Sequence, residues 1–166
     1  TAITDGFKIF LSQAQPPKYV FTMDADYSHN PQDIPHLLAV MQECECAIVI
    51  GSRYHKGGQI QGWPLSRKII SKVANGFART LLGIRLRDCT AGFRCYSTRF
   101  LTQAIGSLHS TTYEIQIETV RQASLRGFSV KETPVVFVNR KRGKSKLAWN
   151  EIKSFLTYTI RAAWQS

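Results

Sequence analysis

Apolar side chains recur along this chain in two rhythms. Ile3, Phe7, Phe10 and Leu11 return every three to four positions, which predicts a helix over residues 3–14. Pro16 and Pro17 stop it. Val20, Phe21 and Met23 form a short apolar run that predicts a strand over 19–24. Asn30 can cap a following helix, Pro31 suits its first turn and Asp33 favours its positive end. That helix runs to about Glu43. A second apolar run, "CAIVIGSRY", predicts a strand over 46–51 that passes into a loop at Gly51, Ser52 and Arg53.

The segment "HKGGQIQGW" reads as a glycine-bearing loop, and Pro64 opens a long helix that Gly83 stops. Leu65, Ile69, Val73, Phe77 and Leu81 recur along it every four residues. Arg67, Ser71, Asn75 and Arg79 share that spacing on a second, polar stripe. Residues 93–97 predict a short strand, 98–106 a short helix and 113–126 a further helix. "VKETPVVFV" predicts a strand broken by Pro134 at an edge or bend. Residues 147–164 are amphipathic through Leu147, Ile152, Phe155, Leu156, Ile160 and Trp164. Strands alternating with helices predict an α/β domain. The chain opens at Thr1 on what reads as a helix entered midway, so a fragment with a missing beginning is expected.

Composition narrows the functional classes. The 166 residues are 43% hydrophobic and 20% charged, enough for one domain with a core. No apolar run is long enough for a transmembrane helix. The net charge of +11 calls for an anionic partner. From Asn139 onward, Arg140, Lys141, Arg142, Lys144, Lys146, Lys153 and Arg161 face only Glu151. That run is either a solvated face or a site for anions. Cys44, Cys46, Cys89 and Cys95 lack zinc-ligand spacing and are expected to be reduced, structural thiols.

Asp24 and Asp26 are the exception to the apolar pattern. Two carboxylates at the end of a buried strand repel each other unless a cation joins them. In open α/β sheets, ligands bind beyond the carboxyl ends of the strands. Hard oxygen ligands suit Mg²⁺ or Mn²⁺, which takes one or two protein carboxylates and completes its shell with substrate phosphates. A solvated turn is the alternative. Arg53 also follows a strand, and Arg67 lies at a helix start that favours anions, with Ser71 one turn on.

The blocks "FTMDADYSHNPQDIPHLL", "IVIGSRYHKGGQIQGWPLSRKIISKVAN", "LLGIRLRDCTAGFRCYS" and "YEIQIETVRQASLRGFSVKETPVVFVNRKRGKSKL" resemble, in order, those of the dolichyl-phosphate (polyprenyl-phosphate) mannosyltransferases. These are family 2 glycosyltransferases of GT-A fold, and the likeness covers nearly all of residues 1–150. It implies that residues 1–146 are the C-terminal portion of a GT-A, Rossmann-like nucleotide-sugar domain, with a mixed sheet between helices, followed by an amphipathic helix over 147–166 suited to a membrane interface. The family's first strands, which help hold the nucleotide, have no counterpart here.

Residue by residue, the resemblance implies that Asp24 and Asp26 contact a divalent metal, Mg²⁺ or Mn²⁺, and the donor diphosphate, with Ser28 lining the same site. Arg53 and Arg67 match arginines that approach donor and acceptor phosphates, with Ser71 near them. Arg140 and Lys146 match the basic loop that engages the lipid phosphate. "DCTAGFR" departs from the usual Asp-Pro-Thr-Ser-Gly-Phe-Arg, and Asp88 and Arg94 within it are expected either to support the site or to form a structural turn and salt bridge.

The implied activity is inverting transfer of a sugar, mannose from GDP-mannose, onto a polyprenyl or dolichyl monophosphate at the cytoplasmic side of a membrane. A UDP-sugar transferase of the same family and a truncated, non-catalytic domain are the alternatives. No general base is demanded, because the acceptor is already ionised, and the four histidines are read as packing or surface residues. Nucleic-acid binding is disfavoured: no aromatic interleaves the basic residues 139–146, and the acid pair would repel phosphate unless metal-loaded.

Overall fold

The computed structural model describes residues 1–110, 112–140 and 149–164. Its elements are α1 (Ala2–Leu11), β1 (Tyr19–Thr22), α2 (Ile34–Cys44), β2 (Ile48–Ser52), β3 (Gln59–Gln61), α3 (Leu65–Leu82), β4 (Arg94–Ser97), α4 (Thr98–Ala104), α5 (Ile115–Leu125), β5 (Val130–Pro134), β6 (Val136–Val138) and α6 (Trp149–Trp164). Four strands form a mixed sheet in the order β1-β4-β2-β5. β4 runs antiparallel to both its neighbours, while β2 and β5 are parallel.

The sheet is the middle of three layers. β2 is buried along its whole length, as its unbroken apolar sequence requires. Ile48 and Ile50 face a core built with Phe7 of α1, Phe100 and Leu101 of α4, and Ile117 of α5. Val49 and Cys95 point the other way, to Leu37 and Met41 of α2. This alternation follows from the two-residue period of a strand.

Pro134 hands the last strand from one sheet to another. β5 is an edge strand and ends on Pro134; β6 then pairs in parallel with β3 in a separate two-stranded sheet. A proline cannot donate to a ladder, so the break expected at this residue falls on it. The second sheet brings Asn139 and Arg140 to the same end of the molecule as the carboxyl ends of β1 and β2.

Helix α3 is turned opposite to the usual amphipathic arrangement. Its polar stripe turns inward as far as Asn75, which is 3% exposed, whereas Leu65, Ile69 and Val73 are 71, 52 and 65% exposed and Arg79 is exposed again. The polar face is drawn inward by a polar loop. Asn75 Nδ2 donates to Thr90 Oγ1 (3.0 Å), and Cys89 Sγ donates to Asn75 Oδ1 (3.1 Å). Helix α6 divides its apolar residues. Phe155 and Tyr158 pack on the main core, while Leu156, Ile160 and Trp164 remain outside.

The cysteine expectation needs one correction. Cys89 and Cys95 are free and buried, and burial pushes the Cys89 thiol up to about 12, as an inert structural cysteine requires. Cys44 and Cys46, however, are joined in a disulfide. Glu45 between them adopts the left-handed conformation at the end of α2 (φ 47°), and this reversal brings the two Cα atoms to 5.2 Å.

Candidate functional site

The apolar strand β1 ends at Thr22, so Asp24 and Asp26 occupy the turn beyond it. Two local bonds shape that turn. Asp26 Oδ1 accepts from the Ser28 backbone N–H (3.0 Å), an Asx-type closure around Tyr27. Tyr27 takes a left-handed φ of 62° to allow it. The chain then folds back, and the Asp24 N–H donates to His29 Nδ1 (3.1 Å). His29 is buried against Phe93 and Phe137, which holds its ring in place.

These contacts set the local electrostatics. Burial pushes the Asp26 carboxyl upward, but hydrogen bonding from Ser28 and the positive charge of Arg140 outweigh it and hold the group below its usual range. Burial lowers the His29 imidazole, with Arg53 adding to the effect against the opposing pull of Asp24. A neutral His29 is also what its accepting Nδ1 requires.

The expected cations converge on this turn. Arg140 Nε lies 3.3 Å from Asp26 Oδ2. Arg67, in the first turn of α3, donates from Nη1 to Asn139 Oδ1 (3.2 Å). Its guanidinium carbon lies 4.0 Å from the centre of the Trp63 ring, and that of Arg53 lies 5.2 Å from the same ring. One indole therefore holds two guanidinium groups by cation–π attraction. Burial lowers the Arg67 pKa, and the like charges of Arg140 and Arg53 lower it further. A cluster in which cations repel one another is relieved by an incoming anion. Ser71 stands one turn along α3, half-buried, and its carbonyl accepts from Asn75.

Arg53 is more constrained than its expected phosphate role implies. Its Nε donates to Asp88 Oδ2 (2.7 Å), and its Nη2 to Asp88 Oδ1 (2.6 Å) and Thr90 Oγ1 (2.9 Å). Burial disfavours its charge, but Asp88 outweighs that and raises its pKa. Asp88 is in turn fixed by Glu132, which accepts from its N–H (2.8 Å). Among the described residues only Nη1 of Arg53 has no hydrogen-bond partner, so this is the edge it can offer to a ligand. Arg94 takes no part in that ion pair. It is fully buried and donates to the carbonyls of Ala91, Cys89 and Gln116, which locks the 88–94 turn against α5.

Asp24, Asp26, Ser28, Arg53, Arg67 and Arg140 thus gather at one end of the sheet, with Ser71 alongside; Lys146 lies outside the described residues. Trp63, His29 and Asn139 join them without having been singled out. The tryptophan was readable in principle, since it stands in "GWPLSR" between two candidate arginines. His29 was not, because its bond to Asp24 exists only after the chain reverses at Tyr27.

No cluster of three or more His, Cys, Asp or Glu side chains occurs among the described residues. Two carboxylates and the buried Ser28 hydroxyl nevertheless form an all-oxygen donor set. It fits a hard divalent cation that takes its remaining ligands from a substrate.

Comparison with known proteins gives the site a context. Residues 2–104 match the family model described as glycosyl transferase family 2. Over 132 residues the chain is 39% identical to a polyprenol monophosphomannose synthase of Mycolicibacterium smegmatis, covering 79% of this chain and 49% of that protein. Over 127 residues it is 37% identical to an undecaprenyl-phosphate mannosyltransferase of Micrococcus luteus, covering 76% and 51%. The chain therefore spans about half the length of the relatives it matches. The matched residues contain the strand, the acid turn and the arginine-bearing helix, and the mixed sheet between helices agrees with the GT-A expectation: this chain belongs to glycosyl transferase family 2.

Proposed function

We propose that the protein is an inverting mannosyltransferase that moves mannose from GDP-mannose to a polyprenyl or dolichyl monophosphate. The observation that carries this reading is the pairing of an acid turn with a fixed arginine cluster. Asp26 meets Arg140, and Trp63 holds Arg53 and Arg67 beside them. Both halves serve one reaction, in which a diphosphate leaves and a phosphate attacks. The names of the two relatives support a polyprenyl phosphate as acceptor and mannose as the sugar.

The reaction is a single displacement. A phosphate oxygen of the acceptor forms a bond to the anomeric carbon as the bond to the nucleoside diphosphate breaks, and no proton moves. Asp24, Asp26 and Ser28 would hold Mg²⁺ or Mn²⁺, which supplies Lewis-acid neutralisation of the departing diphosphate. Arg67 and the Nη1 edge of Arg53 bind phosphate oxygens by charge-assisted hydrogen bonds. Arg140 has two roles. It pairs with Asp26 in this structure, and its guanidinium would bind the acceptor phosphate if that carboxylate held a divalent cation. The buried Asp88 and Trp63 hold Arg53 and Arg67 away from the acid pair.

A polyprenyl acceptor would hold the site against a membrane surface, and the cytoplasmic side is the one this reading assigns. No described helix is long and apolar enough to cross a membrane. The outward stripe of α3 and the exposed Leu156, Ile160 and Trp164 of α6 supply apolar surface for an interfacial arrangement. The test is sugar transfer by the protein at its full genomic length, with GDP-mannose, UDP-glucose and UDP-GlcNAc offered against polyprenyl phosphate. Transfer from GDP-mannose alone is expected. Preference for a UDP-sugar would replace mannose in this reading, and no transfer from any donor would overturn it.

A further inference from the structure

Away from the acid turn, a cavity of about 430 Å³ opens on the flank of α3, lined by Tyr54, Lys72, Asn75, Gly76, Arg79 and Arg87. Three of its six lining residues are cations and none is an acid. Lys72 and Arg79 are seven residues apart, so at 100° per residue they project only about 20° from each other. Gly76 lies between them, and a Cβ placed there would meet nothing within 4 Å, which leaves the floor of the cavity open. The Tyr54 hydroxyl is buried, and Ser71 lies beside it. Three cations around an open cavity without an acid are chemically complementary to a phosphate.

The neighbouring surface indicates the source of that phosphate. On the helical wheel the cationic flank borders the stripe of Leu65, Ile69 and Val73, which is 52 to 71% exposed. A basic cavity bordered by exposed apolar side chains on one helix matches a lipid, with a charged head and a greasy tail. Basic pockets beside interfacial helices bind phospholipid head groups.

We propose that the Lys72/Arg79/Arg87 cavity is a second phosphate site, separate from the one at Asp26 and Arg67, and that it seats the head group of an anionic membrane phospholipid. It rests on the reading of α3 as lying against a membrane. Seating a head group there would hold the helix, and with it Arg67, at a fixed depth below the membrane surface.

The test is vesicle flotation of the protein at its full genomic length, with phosphatidylcholine vesicles and with vesicles of phosphatidylcholine mixed with anionic phosphatidylglycerol. The wild-type protein is expected to bind the anionic vesicles more tightly, by an increment that falls as salt rises. The triple variant K72A/R79A/R87A is expected to lose about 100-fold, at roughly fivefold per basic side chain near an anionic surface. Gly76→Leu keeps every charge but fills the cavity, and it is expected to lose most of the same increment. Transfer in detergent should be unchanged in both variants. A Gly76→Leu protein that keeps the full increment, or a triple variant that binds like wild type, would overturn the seat. Displacement from vesicles by millimolar inorganic phosphate would assign the cavity to a free anion instead. Equal binding to both vesicle types would reject the cavity but leave the membrane reading standing, and no binding to either would reject both.

Discussion

Removing the Asp88 carboxylate should unfold the site from beneath. Asp88 is wholly buried and takes three N–H groups of Arg53: Nε (2.7 Å), Nη2 (2.6 Å) and the backbone N–H (2.9 Å). The Arg53 side chain is only 10% exposed, so without Asp88 its charge cannot be rehydrated in place. Breaking a buried pair from one side costs about 3–5 kcal/mol, because an uncompensated charge remains. Asp88→Ala should therefore lower the urea-derived unfolding free energy by about that amount. The double variant with Arg53→Met should lose less than Asp88→Ala alone, since exchanging both charges for apolar volume is often close to neutral. There is also a pH signature. Burial raises the Asp88 pKa but Arg53 outweighs it, and the folded value lies below the ordinary one. The pair's contribution is complete above the unfolded value of about 3.9 and is lost as pH falls through the folded one. The gap between wild type and Asp88→Asn should then shrink below about pH 4. A loss under about 1 kcal/mol for Asp88→Ala, or strict additivity in the double variant, would refute a buried clamp.

Variants at three further positions probe the supports of the same site by urea unfolding. Trp63→Ala, which removes a buried ring touching Arg53, Arg67 and Phe137, should cost about 3–5 kcal/mol, and Trp63→Phe clearly less. Gly58→Ala would set a Cβ 2.5 Å from the Ser52 carbonyl oxygen and 2.9 Å from Arg53 backbone atoms, so a loss of about 1–3 kcal/mol is expected. His29 has a folded pKa lowered chiefly by burial, so the unfolded chain takes up the proton first as pH falls. Its stabilisation is present above about pH 6.5 and declines below it. His29→Gln should flatten that decline, and an unchanged pH profile would contradict a neutral His29 accepting from Asp24.

The elements that carried their own periodicity were legible in the sequence. Strand β2 reads as an unbroken apolar run, and the break at Pro134 follows from its missing N–H. The acid pair was legible because two carboxylates after an apolar strand demand an explanation. The orientation of α3 was not. Periodicity identifies two stripes but not which one meets a polar partner, and that depended on Thr90 and Cys89 reaching Asn75. Pairing across distance was equally hidden: Arg53 and Asp88 are 35 residues apart, and only the sheet brings them together. The Cys44–Cys46 link escaped because it depends on the left-handed turn at Glu45, which local composition does not announce.

The most direct test of the acid turn and arginine cluster as one site is mannose transfer from GDP-mannose to polyprenyl phosphate, titrated with Mn²⁺, in wild type and Asp24→Ala at full genomic length. Transfer should rise with Mn²⁺ in the wild-type protein and fall by about 100-fold or more in the variant, in keeping with loss of an electrostatic group at the reacting centre. Undiminished, metal-dependent transfer by Asp24→Ala would contradict it.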